Sequence, residues 1–215
     1  LVVCTSDVKS PPVRSVLVPI RSFDRAKMRL APALGESARA GLVRKLAARV
    51  VAAAAPMPVA VVCEDESVAR FAADLGADVL LVSPGLGLSG SVAAGVDRLA
   101  SEGIDVVTVA HGDLAMVVEL SSAGRDAGEG GEGEVTIAPD RRLDGTNVIT
   151  VPTRRGFRFA YGPGSFERHR AEAARIGLAC RIMYDWNLAL DVDLPDDLDV
   201  AARAGRPVDL ERTEG

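Results

Sequence analysis

Short apolar runs alternate with longer segments of helical periodicity along most of this chain. Ser15 to Ile20 predicts a buried first strand, and the loop that follows, Arg21 to Gly35, is rich in Arg and Lys. Glu36 to Ala55 predicts a helix: Leu42, Val43, Leu46 and Val50 recur at helical spacing, and Pro56 and Pro58 stop it. Val59 to Cys63 predicts a second strand. Asp65 to Leu75 predicts a helix ended by Gly76, and Asp78 to Ser83 a third strand. Gly90 to Ala100 predicts another helix, and Ile104 to Ala110 a fourth strand that runs into His111-Gly112-Asp113.

This alternation implies an α/β domain on a mixed, mostly parallel sheet flanked by helices. The near-continuous apolar strands suit a sheet covered on both faces. After Asp113 the pattern changes. Ser121 to Glu134 is rich in Gly and Glu and reads as a mobile loop. Val135 to Ala138 and Asn147 to Val151 predict strands separated by a polar turn, and Phe166 to Ile176 a helix. Cys180 to Tyr184 and Leu188 to Asp193 predict two further strands, and Asp196 to Ala204 a closing helix. The expected organisation is one domain over residues 15–205, with an N-terminal extension (1–14) and a loose tail (206–215). No internal repeat is present.

Composition narrows the function classes. With 215 residues the chain can bury a full core. A net charge of −5 argues against a nucleic-acid surface. Cys4, Cys63 and Cys180 lie too far apart for a disulfide framework or a thiolate metal site, so a reducing, cytoplasmic setting is expected. No apolar run approaches the ~20 residues that span a bilayer, and the N-terminus lacks the basic-then-apolar pattern of a signal peptide. His111 and His169 form no helical His-x-x-x-His pair, which argues against zinc.

Six segments carry candidate chemistry. Asp113 follows the fourth strand, where open α/β sheets gather ligands, and can hold a cation; a solvated turn or helix cap is the alternative. Asp191 and Asp193 stand two apart in Leu190-Asp191-Val192-Asp193. In a strand they share one face, and neighbouring carboxylates call for a cation such as Mg²⁺. The acids at Asp196 and Asp197 suit a helix entry after Pro195. Gly162-Pro163-Gly164-Ser165-Phe166 precedes a helix, whose N-terminal amides attract anions, although a plain Ser cap reads as well. In Asp144-Gly145-Thr146-Asn147, Thr146 and Asn147 can hold an anion, or the segment is simply a hairpin turn. Arg21, Arg25, Lys27 and Arg29 can neutralise a triphosphate or form a solvated basic loop. Gly85 to Gly90 matches G-x-G-x-x-G, which keeps dinucleotide binding open, although it follows the third strand rather than the first.

In order, these segments resemble the 2-phospho-L-lactate guanylyltransferase family, which includes the phosphoenolpyruvate guanylyltransferases of coenzyme F420 biosynthesis. The matching stretches are Val18 to Arg21 with Ala26 to Leu30, Ala110 to Leu114, Ile137 to Asp140 with Gly145 to Asn147, Gly162 to Phe166 with His169, and Leu190 to Asp193 with Pro195 to Leu198. The resemblance spans about Ser15 to Ala204. It implies a single Rossmann-like domain of the glycosyltransferase-A type. It also implies transfer of GMP from GTP to phosphoenolpyruvate or 2-phospho-L-lactate, with Mg²⁺ as cofactor and pyrophosphate released.

By the same resemblance, Asp113, Asp191 and Asp193 are metal ligands, and Lys27 and Asp113 the catalytic pair. Thr146, Gly162, Gly164 and Ser165 would hold the acceptor acid, with the backbone amides of Ser165 and Phe166 fixing it in line. Arg21, Lys27 and Arg29 would face the nucleotide phosphates, and Leu88, Ser89 and Ser91 the nucleoside. GTP and a small phosphorylated carboxylic acid are the implied partners, with a downstream F420 pathway enzyme to receive the product; a homodimer is compatible. Three positions depart from the family pattern: Arg21 stands for Lys, Ser89 for Asn and Ala115 for Pro.

Overall fold

The computed structural model describes residues 10–23, 27–123 and 133–205. The apolar runs pair into a sheet of seven strands: β1 (Arg14–Pro19), β2 (Val59–Cys63), β3 (Asp78–Leu81), β4 (Val106–Ala110), β5 (Glu134–Pro139), β6 (Thr146–Pro152) and β7 (Ala179–Ile182). Their order is β3-β2-β1-β4-β6-β5-β7. β6 lies antiparallel to both of its neighbours, β4 and β5, while all other pairs are parallel. The mixed, mostly parallel sheet expected from the alternation is therefore found, with β6 alone reversed.

The helices are α1 (Glu36–Ala52), α2 (Glu66–Asp74), α3 (Gly87–Ser101), α4 (Ser165–Arg175), α5 (Trp186–Ala189) and α6 (Pro195–Arg203). Strand periodicity assigns them to two faces. Val16 and Val18 pack with Val43, Ala47 and Val50 of α1 and with Val68 and Ala72 of α2. Leu17, between them, points the other way, toward Val92, Val96 and Leu99 of α3. Phe166 and Ala173 of α4 extend that second face. α3 can close on β1 because position 95 is glycine: a Cβ there would stand 2.8 Å from Leu17 Cδ2. A smaller cluster joins Leu30, Leu42 and Leu46 to Ala115, Leu190 and Val192, and forms an apolar floor at the carboxyl end of the sheet.

Some boundaries differ from expectation. α1 stops at Ala52 rather than Ala55, and α3 begins at Gly87 rather than Gly90. Leu188 to Asp193 is not a strand. The Asp185 carboxylate accepts the Asn187 N–H at 2.8 Å and caps the short helix α5, so only Asp191 is paired, in an isolated antiparallel bridge with Leu114. Of the loop expected to be mobile, Ser121 to Ala123 form a turn and Glu134 opens β5. Residues 124–132, the tail 206–215, residues 1–9 of the N-terminal extension, and Arg25 lie outside the described residues. Among the described residues no helix is long and apolar enough to cross a membrane.

α6 is anchored by Asp197, which is fully buried. One carboxylate oxygen accepts the N–H groups of Asp193 (2.9 Å) and Leu194 (2.7 Å), and the other accepts from Arg141 (2.7 Å) and Arg142 (2.9 Å). The helix-entry reading of Asp197 thus holds, and the residue also ties the 193–194 backbone to the β5–β6 turn. Burial opposes the charge, but the Arg141 bond, the two amides and the Arg142 bond together hold its carboxyl below the usual range. Asp197→Asn should therefore cost about 3 kcal/mol at pH 7, because it leaves buried donors poorly matched. Because the folded-state pKa is depressed, the wild-type advantage is present above the unfolded value near ~3.9 and fades as pH falls through the folded one. Urea melts at pH 7 and pH 3 should show a wide gap between the two proteins and then a narrow one.

Candidate active site

β1 has β2 on one side and β4 on the other, so their carboxyl ends flank the point where the sheet's winding reverses. A cavity of about 630 Å³ opens there, lined by Pro19, Arg21, Lys27, Glu64, Pro84 and Asp113, among others. The G-x-G-x-x-G segment lies instead beyond β3, an edge strand, and serves to start α3. It is not the first strand-to-helix turn, on which a dinucleotide fold seats its pyrophosphate, although Pro84 and Leu88 bring its ends to the cavities.

The three predicted carboxylates converge beside this cavity. After β4 the chain turns through His111 and Gly112, then pairs briefly with the segment before α6. The Ala115 N–H donates to the Leu190 carbonyl at 2.9 Å, and the Val192 N–H to the Asp113 carbonyl at 3.2 Å. A proline at position 115 could not make the first of these bonds. Leu190 and Val192 are buried in the apolar floor, so Asp191 and Asp193 face outward. The Lys27 ammonium donates to Asp113 and, at 2.6 Å, to Asp193. Burial opposes the Lys27 charge, but Asp113 and Asp193 outweigh it and raise its pKa. Lys27 in turn holds the buried Asp113 carboxyl below its usual range. For Asp191 the balance is reversed: burial, then Asp113 and Asp193, push it up to about 6 against a smaller opposing pull from Lys27.

Among the described residues, no three His, Cys, Asp or Glu side chains form a ready-made metal cluster. The donors still suit Mg²⁺, which takes one or two carboxylates and completes its shell with phosphates and water. Asp113 and Asp193 already meet on one cation, and Asp113 Oδ1 is buried without a hydrogen-bond partner.

A second cavity, about 450 Å³, shares Asp113 with the first and is also lined by Arg29, Arg142, Thr146, Gly162, Ser165 and the other two aspartates. Two segments that are distant in sequence interlock to build it. Gly164, in a left-handed conformation (φ 72°) that favours glycine, caps α4 and donates its N–H to the Asp144 carboxylate at 3.0 Å. The Phe166 N–H donates to the Asp144 carbonyl and the Ser165 N–H to the Gly162 carbonyl, each at 3.0 Å. These two amides are therefore engaged within the protein, and the expectation that they fix the acceptor is corrected. What remains on the wall are the hydroxyls of Thr146 and Ser165. Asn147 also lines this cavity; its amide donates to the Leu188 carbonyl at 3.0 Å and lies 3.5 Å from an Asp191 oxygen.

The remaining predicted residues divide. Arg21 and Lys27 line the larger cavity, Arg29 and Leu88 the smaller. Ser89 and Ser91 reach neither: Ser89 accepts the Tyr161 N–H at 2.9 Å, and the buried Ser91 donates to Glu64 at 3.3 Å. From that quarter Glu64 and Pro84 reach the larger cavity. The sequence analysis does not single out Glu64; its position at the carboxyl end of β2, the end of the sheet where Asp113 follows β4, is the available signal. His111 Nε2 and the Tyr161 hydroxyl are buried without partners, their rings 5.1 Å apart, and His111 lines the smaller cavity.

A reversed strand in a Rossmann-like sheet defines the fold of a glycosyltransferase-A-type nucleotidyltransferase, and here aspartates and a lysine gather at its switch point. Solved structures agree on the fold. A solved structure from Desulfovibrio desulfuricans superposes with a TM-score of 0.72 at 17% identity, covering 95% of this chain and 92% of the other. A 4-diphosphocytidyl-2C-methyl-D-erythritol synthase gives 0.59 at 14%, covering 90% and 99%. The family model described as "Guanylyl transferase CofC like" matches residues 14–203, and the chain belongs to that family. The phosphoenolpyruvate guanylyltransferase of Sphaerobacter thermophilus is 33% identical over 86% of this chain and 91% of its own length. The 2-phospho-L-lactate guanylyltransferase of Methanothermobacter thermautotrophicus is 30% identical over 85% and 81%.

The crowding of Asp191 has a measurable cost. An unfolded Asp titrates near ~3.9, and the folded one near 6, so the fold favours its neutral form. Its stabilising contribution is full below the unfolded value and lost as pH rises through the folded one. Asp191→Asn, permanently neutral, should therefore stabilise protein held in chelator by about 2 kcal/mol at pH 7.5 and by little at pH 4. Denaturant melts at the two pH values check this. Equal stability of variant and wild type at pH 7.5 would mean that the carboxylate is not strained.

Proposed function

We propose that the chain transfers GMP from GTP to phosphoenolpyruvate or 2-phospho-L-lactate, releasing pyrophosphate, as a step of coenzyme F420 biosynthesis. The observation that carries this reading is the shared wall. Asp113 borders both cavities, so a nucleotide in the larger and a small acid in the smaller would meet at the same carboxylates. The relatives named above supply the nucleotide and the two acids.

The acceptor already carries an ionised phosphate oxygen as nucleophile, because a phosphate monoester has its second pKa near ~6, so the reaction needs no general base. The obstacle is bringing one anion against another. Arg21 and Lys27 on one side and Arg29 and Arg142 on the other supply positive charge to both reactants. The hydroxyls of Thr146 and Ser165 would orient the acid so that its phosphate oxygen faces the α-phosphorus. Asp113, Asp193 and Asp191 would hold Mg²⁺, which supplies charge neutralisation between the phosphates and on the leaving pyrophosphate. Lys27 would then be released toward the phosphates from its present position between two carboxylates. The free thiols of Cys63 and Cys180 suit a cytoplasmic setting.

Pyrophosphate release with Mg²⁺, crossing GTP, ATP and CTP with phosphoenolpyruvate, 2-phospho-L-lactate and a sugar phosphate, tests the reading. Release should require GTP and one of the two acids, and chelation should abolish it. Asp113→Asn should lower turnover on the order of 10²–10³-fold with the fold intact. Release with CTP and the sugar phosphate alone would replace this acceptor class.

A further inference from the structure

The hydroxyls of Thr146 and Ser165, two residues that line the smaller cavity, each have one lone pair already engaged, which favours donation at the remaining positions. Ser165 Oγ accepts the Thr146 N–H at 3.0 Å, and Thr146 Oγ1 lies 3.0 Å from Nδ1 of His169, which is fully buried behind the wall. The other ring nitrogen, Nε2, lies 2.9 Å from the Ala160 N–H. A backbone amide can only donate, so Nε2 must present its lone pair. The neutral ring then carries its proton on Nδ1, and that N–H donates to Thr146. Burial, with smaller contributions from Arg168 and His111, pushes the His169 pKa down to about 4, so the ring stays neutral near pH 7. The rings of Phe157 (5.7 Å between centroids) and Tyr161 (5.0 Å) confine it.

We propose that His169 is a positioning residue that holds the Thr146 hydroxyl as a hydrogen-bond donor toward an oxyanion of the acceptor acid. The proposal rests on the acceptor occupying this cavity as read above. With one lone pair engaged by His169, the Thr146 hydroxyl keeps its proton for another partner, and residue 146 lines the cavity. Ser165, which accepts from the Thr146 amide, is set the same way. The pair therefore presents two donors side by side, a match for phosphate or carboxylate oxygens, which only accept. The α4 N-terminus does not do this work through Ser165 and Phe166, since both amides are engaged elsewhere. Without His169 the Thr146 hydroxyl could rotate and turn a lone pair toward the anion.

Three variants separate this role from mere packing. In His169→Asn the amide N–H₂ takes the place of Nδ1 and keeps the bond to Thr146. In His169→Gln the amide oxygen takes the place of Nε2 and keeps only the bond to Ala160. Thr146→Val removes the hydroxyl. The expectation is that His169→Gln raises KM for the acceptor acid about tenfold, leaving KM for GTP unchanged, while His169→Asn stays near wild type. Combined with Thr146→Val, His169→Gln should add no further loss. Equal losses in Asn and Gln, parallel rises in both KM values, or losses that multiply in the double variant would each overturn the proposal. The ¹⁵N chemical shifts of His169 give a reading independent of turnover: the Nδ1–H tautomer is expected, and the Nε2–H tautomer refutes the role. Wild-type protein that shows this tautomer but no GTP-dependent release would instead count against the proposed reaction.

Discussion

The site depends on a short antiparallel bridge between the chain after β4 and the segment before α6. The bonds from Ala115 to Leu190 and from Val192 to Asp113 bring Asp113 beside Asp191 and Asp193, although nearly eighty positions separate them in sequence. Like charges would drive these side chains apart. Several contacts oppose this: Leu190 and Val192 sit in the apolar floor, Asn147 reaches Asp191, Asp197 holds the Asp193 amide, and Lys27 lies between Asp113 and Asp193. Burial first, and then the two neighbouring carboxylates, leave Asp191 with a raised pKa in that arrangement.

Around the carboxylates the fold divides labour between two cavities. The larger follows the strands wound to the β2 side of β1 and carries Arg21, Lys27 and Glu64. The smaller lies where β6 runs against its neighbours, because that reversal brings the Asp144–Asn147 turn to the same end of the sheet as Asp113. The turn docks on the start of α4 through Asp144, Gly164 and Phe166, and those bonds use up amides that a phosphate site might otherwise employ. On the proposed reading, anion recognition would then fall to hydroxyls and arginines. These are side chains, so their identity, more than the backbone's path, decides which acid fits.

Much of this was legible in the residues. The alternation of Val16, Leu17 and Val18 between two packed faces, the helical spacing of Leu42, Leu46 and Val50, and an aspartate after the fourth strand are local patterns. Local patterns follow from periods of 2 and 3.6 residues that any chain must obey. The family resemblance added the order of motifs, and with it the expectation that Asp191 and Asp193 act together with Asp113. The short helix α5 takes Leu188 and Ala189 out of the strand expected over Leu188 to Asp193, in an apolar-rich stretch too short for either period to show.

What the sequence determined by itself was therefore the set of elements, their buried faces, and which side chains were chemically fit to bind anions or cations. The tertiary structure decided the rest: that β6 inserts between β4 and β5, that Asn147 comes within reach of Asp191, that the Ser165 and Phe166 amides are already engaged, and that His169 reaches Thr146. The physical reason is range. A period is written in neighbouring residues, whereas a hydrogen bond between residues 23 or 44 positions apart exists only once the chain has closed the loop between them.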